Sequence, residues 1–176
     1  SGIATSIGAA PAVALIDERA GSIMALVESL TNIVWAPLKD GLSSVALSAN
    51  WMWPAKRSGE NARLYHAVEA LSDAAIELGI PVPTGKDSLS MTQRYEDGQE
   101  VSAPGTVIIT AAGETDRLRL CVNPALKTVS DSSILYVNLS GSRDFPLGGT
   151  ALSQVLAELG NKVPSVDLGL FKKGFV

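Results

Sequence analysis

The chain has 176 residues and a net charge of −4, with 46% apolar and 18% charged residues. This composition predicts a globular protein and excludes a disordered tail. The sequence also argues against a membrane span and against nucleic acid as a partner. No apolar run approaches the roughly 20 residues of a membrane span, and the acidic charge disfavours nucleic-acid binding.

A single cysteine, Cys121, excludes an internal disulfide and favours a reducing, cytoplasmic location. The N-terminus does not resemble a signal peptide. Because the chain also lacks a starting methionine, we expect a processed or excised piece of a longer protein, and an added terminal sequence on a complete protein is the alternative. One histidine and no Gly-x-Ser-x-Gly motif exclude a hydrolytic triad.

The first half of the chain predicts alternating strands and helices. Residues 13–16 are typical of a short buried strand, and residues 20–35 have helical apolar spacing. Residues 44–48 predict the second strand. A long helix is then expected from about Ser58, a candidate N-cap, to Gly79.

Glu28 and Asn32 are four residues apart and therefore project from one face of the first predicted helix. Carboxylate and amide oxygens at this spacing can hold a hard cation such as Mg²⁺, with phosphates and waters completing the shell. The alternative interpretation is a solvated helix face.

Residues 84–88, Thr-Gly-Lys-Asp-Ser, carry the most distinctive chemistry of the sequence, and we predict a loop here. Gly85 lets the backbone approach a ligand, Lys86 supplies a mobile positive charge, and Ser88 can donate a hydrogen bond. This combination favours phosphate or another anion, without the spacing of a P-loop. An ordinary solvated turn is the alternative.

Aromatic residues near these segments have two interpretations each. Trp51 and Trp53 could stack on a base or cap the core, and the core is the commoner outcome. His66 lies in the long predicted helix without a partner nearby in sequence, which favours a surface or packing role over that of a base.

The next segments predict further strands. Residues 91–95 and 100–102 flank Asp97-Gly98, a favourable hairpin turn, and residues 106–110 form a β-branched run. The order of elements indicates an α+β fold with a mixed sheet.

After residue 132 the pattern restarts, with a strand predicted at 134–139 and a helix at 151–159. Gly148 and Gly149 precede that helix and suit an anion site or a tight turn equally well. The tail from residue 163 shows no clear element. We therefore predict a domain boundary near residues 129–132.

Several stretches together resemble one family, the large single-chain phosphoribosylformylglycinamidine synthases. They include the motifs Ser-Ala-Asn-Trp-Met and Gly-Lys-Asp-Ser and occupy residues 28–32, 47–52, 59–65, 83–91 and 147–152. The resemblance covers essentially the whole chain and matches the second of two repeats similar to aminoimidazole ribonucleotide synthetase. It implies an α+β N-terminal domain at 1–130, with a mixed or antiparallel sheet and helices on one face. The start of an α/β C-terminal domain would occupy 131–176.

The resemblance implies a fragment of an ATP-dependent ligase of purine biosynthesis. Such enzymes convert formylglycinamide ribonucleotide, glutamine and ATP to the amidine. Carried over by position, Glu28 and Asn32 would bind Mg²⁺ beside ATP or ADP. The residues expected to contact nucleotide or substrate are Asn50, Gly85, Lys86, Asp87 and Ser88. Lys86 replaces a metal-binding asparagine of the smaller synthetases, so we expect it to contact phosphate directly.

The same resemblance implies that the chain alone is inactive. Its expected partners are the first repeat and the glutaminase domain of the same long chain, or a second copy of this fragment through unpaired strands. Cys121 does not resemble a glutaminase nucleophile and is interpreted as structural. Two alternatives remain: a structural module that holds ADP and Mg²⁺, and another synthetase of the same superfamily, such as one making aminoimidazole ribonucleotide or selenophosphate.

Overall fold

The computed structural model describes residues 1–126 and 131–175. Six strands are present in these ranges: β1 (Gly2–Ala9), β2 (Val45–Met52), β3 (Thr84–Ser88), β4 (Thr92–Arg94), β5 (Glu100–Ser102) and β6 (Thr106–Thr115). The α-helices are α1 (Pro11–Ile16), α2 (Glu18–Ile33), α3 (Glu60–Leu78), α4 (Ala151–Val155) and α5 (Leu168–Gly174). Short 3-10 turns occupy Gly41–Ser44 and Leu118–Leu120.

Four strands form the central sheet, in the order β1-β6-β2-β3. The two β6 pairings are antiparallel, whereas β2 and β3 are parallel. β4 and β5 form a separate hairpin. The prediction of an α+β fold with a mixed sheet is therefore confirmed.

Alternating burial along the strands places the core on one face of the sheet. In β2 every second residue is buried, from Val45 to Trp51, and β6 repeats the pattern through Ile109. The helices α2 and α3 cover this face with residues such as Leu30 and Leu71. The opposite face carries the exposed side chains of β1 and the half-buried alternate residues of β2 and β6.

Local sequence signals set the limits of the two long helices. The Asp17 carboxylate caps α2 by accepting a hydrogen bond of 2.9 Å from the Ala20 amide. Gly79, with φ of +75°, ends α3 where the left-handed backbone favours glycine. The predicted N-cap Ser58 is wrong by one residue, because Gly59 occupies that position.

The tryptophans of the aromatic stretch belong to the core, as their commoner interpretation predicts. Trp51 and Trp53 are 8% and 1% exposed, and their ring centroids lie 6.5 Å apart. The indole N–H of Trp53 donates a hydrogen bond of 2.8 Å to Glu60 Oε2 in the first turn of α3. Trp35, after α2, is 59% exposed.

Two strand predictions are wrong. Residues 13–16 belong to helix α1, because Pro11 begins a helical turn and Val13 and Ala14 bury themselves against the main body. Residues 134–139 form no strand, and four of their apolar side chains, from Ile134 to Val137, are exposed. Within the described ranges no strand adjoins this segment to satisfy its backbone.

The loop predicted at residues 84–88 is also wrong, because these residues form strand β3. Its backbone pairs with β2 over five residue pairs, from Ser48 with Thr84 to Met52 with Ser88. The polar side chains hide this strand in the sequence, since β3 lies at an edge of the sheet and needs no apolar alternation.

The last part of the chain differs in detail from prediction. Helix α4 ends at Val155 rather than 159, and Ala157 follows with φ of +55°. The tail contains α5, whose Phe171 is 2% exposed and belongs to the main core. The predicted boundary near 129–132 falls partly outside the described residues and stays a prediction. No described helix is long and apolar enough to cross a membrane.

Candidate functional site

The candidate anion-binding residues lie on the two parallel strands. The register pairs Asn50 of β2 with Lys86 of β3, and Met52 with Ser88. Because Ala49 and Trp51 point into the core, Asn50 lies on the face opposite the helices, and its register partner Lys86 shares that face. The fold therefore brings Asn50, Lys86 and Ser88 together on one face of the sheet.

The ammonium group of Lys86 is exposed and has only neutral partners. It donates to the hydroxyl of Ser88 and, at 3.1 Å, to the backbone carbonyl of Asp87. Among the described residues no carboxylate lies within ion-pair distance of it. Its positive charge is therefore available to an anion.

Two buried polar atoms on the same face lack partners. Asn50 Oδ1 and Thr106 Oγ1 are inaccessible to solvent and make no hydrogen bond with any residue of 1–126 or 131–175. Thr106 pairs with Met52, so it is a diagonal neighbour of Asn50. An unpaired buried polar group costs about 1–3 kcal/mol, so these two atoms lower the stability of this part of the fold.

Gly85 lies at a position that only glycine fits. A Cβ atom there would lie 2.3 Å from the carbonyl oxygen of Ala49 on the neighbouring strand. Gly85 thus permits the close approach of β3 to β2, which in turn fixes Lys86 and Asp87. Its observed role is in the sheet, while a contact with ligand stays a prediction.

Glu28 and Asn32 fasten helix α2 to strand β1. Glu28 Oε2 accepts a hydrogen bond of 2.6 Å from the Ala9 amide, and Asn32 Nδ2 donates one of 3.0 Å to the Ile7 carbonyl. Glu28 Oε1 and Asn32 Oδ1 make no hydrogen bond within the described part of the chain. Across the described part of the chain no three His, Cys, Asp or Glu residues form a metal-binding group. The pair can supply two oxygens to Mg²⁺ only if phosphates and waters supply the rest.

The two groups of predicted site residues lie at opposite edges of the sheet. One row of paired residues runs from Ala9 through Ile108 and Asn50 to Lys86. Three strand spacings of about 4.8 Å place the ends of this row about 14 Å apart. Because Glu28 bonds to Ala9, the fold does not bring the predicted metal ligands and Lys86 into one compact site.

A charged cluster that the sequence analysis did not find joins α2 and α3. Glu18 Oε2 and Oε1 lie 3.2 Å from Arg63 Nε and His66 Nδ1 respectively, and Arg63 Nη1 lies 3.1 Å from Glu60 Oε1. Burial raises the pKa of Glu18, but hydrogen bonds from its own backbone, from Arg63 and from His66 outweigh this and lower it overall. The cluster is structural. It could not be predicted from the sequence because Glu18 and Arg63 are 45 residues apart.

The positions of His66 and Cys121 bear on the roles expected for them from the sequence. His66 is 44% exposed at its side chain and supports Glu18, in agreement with a surface or packing role. Cys121 is exposed, so the structural role expected from the sequence finds no support in burial.

The fold and these motifs define the class of protein. The family model described as the FGAR-AT PurM_N-like domain matches residues 1–114, and the chain belongs to this family. It is 44% identical over 169 residues to the probable phosphoribosylformylglycinamidine synthase, chloroplastic/mitochondrial, of Arabidopsis thaliana, covering 95% of the chain. It is 41% identical over 182 residues to the phosphoribosylformylglycinamidine synthase of Dictyostelium discoideum, covering all of the chain.

The chain corresponds to a small part of these relatives, 12% and 13% of their respective lengths. A solved structure, that of PurLQS from Thermotoga maritima, has a similar fold, with a TM-score of 0.51 at 22% identity. The match covers 67% of this chain and 18% of that one. The resemblance to the synthase family that the sequence predicted is confirmed.

Proposed function

We propose that the chain is the part of a phosphoribosylformylglycinamidine synthase that binds the phosphates of a nucleotide or ribonucleotide. The reaction would be the ATP- and glutamine-dependent conversion of formylglycinamide ribonucleotide to the amidine, in purine biosynthesis. The names of the relatives support the reaction. The site proposal depends above all on the exposed ammonium group of Lys86 beside Asn50, whose buried Oδ1 has no hydrogen-bond partner among the described residues.

Each residue has a distinct part in this proposal. Lys86 neutralises phosphate charge, and the side-chain amide of Asn50, beside it on the same face of the sheet, forms a hydrogen bond with the ligand. Ser88, already bonded to Lys86, holds the ammonium group in place and can donate to a phosphate oxygen. Catalysis would then come from positioning and charge neutralisation.

The proposal for Mg²⁺ rests on Glu28 Oε1 and Asn32 Oδ1, which make no hydrogen bond with residues 1–126 or 131–175. The other oxygen of Glu28 and the amide nitrogen of Asn32 hold β1, which keeps both side chains in a fixed orientation. Because this pair is about 14 Å from Lys86 across the sheet, each group would complete its site with other parts of the long chain, the first repeat among them. The glutaminase domain would supply the ammonia.

Replacing Lys86 in the long synthase tests the main proposal. Lys86→Met should lower kcat/KM for amidine formation from MgATP and ammonia by about tenfold to a hundredfold, since a hydrogen bond to a charged group contributes about 1.5–3 kcal/mol. Lys39→Met is the matched control, because Lys39 is exposed and pairs with Glu114 away from the site. Equal activity of both variants would refute the role of Lys86.

A second function, a structural module that holds ADP and Mg²⁺, is favoured by one observation. Glu28 and Asn32 connect a helix to an edge strand, so a metal nucleotide bound there would stabilise the fold itself. In that case Glu28→Gln would leave the turnover of the long synthase unchanged while releasing a copurified nucleotide. Loss of turnover with the nucleotide retained would exclude this function.

A further inference from the structure

A group of positive side chains lies where β2 and β3 end, beyond the Asn50 and Lys86 site. Lys56, Arg57 and Arg94 line a surface pocket of about 470 Å³, together with the hydroxyl residues Ser58, Ser90 and Thr92. The chain as a whole has a net charge of −4, so this concentration of cations is unlike the rest of its composition.

The parallel pairing of β2 and β3 assembles this pocket from distant segments. The Trp53 amide donates to the Ser88 carbonyl at 2.9 Å, and the Ala55 amide donates to the Leu89 carbonyl at 3.2 Å. The segments that follow the two strands therefore run side by side. The β4–β5 hairpin closes the pocket, bringing Arg94 towards Lys56 and Arg57.

Hydrogen bonds to the hairpin hold both guanidinium groups. Arg57 Nη1 donates to Ser102 Oγ at 2.8 Å, and Arg94 Nε donates to Glu100 Oε1 at 2.6 Å. A guanidinium group has five N–H donors, so each arginine keeps several for a ligand. Fixed, planar donors of this kind are suited to the oxygens of a phosphate group.

The charges of the pocket do not cancel. Glu100 compensates Arg94, whereas Lys56 makes no hydrogen bond or ion pair with any residue in the described ranges, and Arg57 has a neutral partner. Two positive charges therefore remain beside three hydroxyl groups. A dianionic phosphate matches this excess better than a carboxylate with a single charge.

We propose that the pocket lined by Lys56, Arg57 and Arg94 is a second anion site that binds a phosphate group. The site is separate from Lys86 and does not depend on the function proposed above. Its three positive side chains come from the segment after β2 and from β4, and Lys86 is not among the residues that line the pocket.

Titration of the 176-residue chain with inorganic phosphate, followed by calorimetry at low salt, tests this site. Arg57→Gln and Arg94→Gln should each raise the Kd about three- to tenfold, because each removes a charge-assisted hydrogen bond. Glu100→Gln should lower the Kd, because it removes the one carboxylate of the pocket. Arg119→Gln, which changes an exposed arginine outside the pocket, should leave the Kd unchanged.

Arg94→Gln and Glu100→Gln should change the Kd for phosphate in opposite directions, which distinguishes a role in binding from a purely structural role. If Arg94 and Glu100 served only to hold the hairpin, both substitutions would act in the same direction, and that result would overturn the proposal. Thermal melts check folding. Should Arg94→Gln disrupt the hairpin, Lys56→Met gives the same readout, since Lys56 has no partner in the described ranges to lose.

Two further ligands identify the source of the phosphate. Tighter binding of ribose 5-phosphate than of ADP, lost in Arg57→Gln, would assign the pocket to a sugar phosphate. The reverse order, also lost in Arg57→Gln, would assign it to a nucleotide polyphosphate. Absence of pocket-dependent binding by all three ligands would overturn the site, while leaving the effect of Lys86→Met on turnover as a separate result.

Discussion

Asn50 and Lys86 are paired across β2 and β3, yet only Lys86 finds hydrogen-bond acceptors for its polar group. Lys86 donates along its own strand to Ser88 and Asp87, and Asn50 Oδ1 has no donor among the described residues. A fold optimised only for stability would replace this amide with an apolar side chain. The arrangement therefore agrees with the binding role proposed for Asn50 and Lys86.

Replacing Asn50 should change the stability of the chain and the activity of the long synthase in opposite directions. Asn50→Val should raise the free energy of unfolding of the chain by about 1–3 kcal/mol, because it removes an unpaired buried oxygen from a strand. In the long synthase the same variant should lose activity. Urea denaturation and amidine formation measure the two effects.

Ser48→Val is the control for Asn50→Val. Ser48 lies on the same strand and the same face, two residues away, and is not among the described residues that have a buried unpaired polar atom. Ser48→Val should change the free energy of unfolding less than Asn50→Val does. A marked loss of stability in Asn50→Val would show that the amide has a partner in the folded chain.

Gly85→Ala should weaken the pairing of β2 with β3. The added Cβ would lie 2.3 Å from the Ala49 carbonyl oxygen, so the strands must separate, at a cost of about 1–3 kcal/mol. Gly169→Ala is the control, since its Cβ would be 3.4 Å from the nearest atom, Asp167 Oδ1. Hydrogen exchange of the β3 amides should rise in the first variant alone.

The stability of the chain should decrease in acid through Glu18. Its pKa is lower in the folded state than the ordinary value of 4.5. The group therefore contributes its full stability above about pH 4.5 and loses it as the pH falls through the lowered pKa. Glu18→Gln should flatten this part of the curve of unfolding free energy against pH.

Glu69→Gln provides the comparison for Glu18→Gln. Glu69 also pairs with an arginine, Arg19, but at the surface, with 39% of its side chain exposed. Its substitution should leave the acid dependence almost as in the original chain. An equal flattening by both variants would contradict the assignment to Glu18.

The 176-residue chain alone should form no amidine from formylglycinamide ribonucleotide, MgATP and ammonia. It spans 12% to 13% of the length of its relatives, and its candidate metal ligands and Lys86 do not share one site. Detectable product, measured beside the long synthase as a positive control, would show that this chain holds a complete active site.

Elements with local signals were predictable from the sequence. The helix α2 follows from its apolar spacing and α3 from its stripe and its glycine stop at Gly79. The hairpin of β4 and β5 follows from Asp97-Gly98, where Gly98 has φ of +81°. By contrast, β3 is polar throughout and becomes a strand only because β2 lies beside it. The strand propensity of residues 84–88 alone cannot show this pairing.

The members of the candidate site were predictable as residue types, but their arrangement was not. Asn50, Lys86 and Ser88 meet because β2 and β3 are parallel neighbours. Glu28 lies far from them because two other strands, β6 and β2, come between β1 and β3. This strand order depends on contacts over long sequence separations, and no local pattern encodes it. Thr106 was missed for the same reason.

Because the tryptophans are unequally buried, their intrinsic fluorescence reports on different parts of the chain. Trp51 and Trp53 emit from the core at the end of β2, next to α3, while Trp35 emits from an exposed position after α2. An ionic quencher reaches only Trp35. The quenchable fraction of the fluorescence therefore reports on the surface near Trp35, and the remainder reports on the ends of the strands beside both proposed phosphate sites.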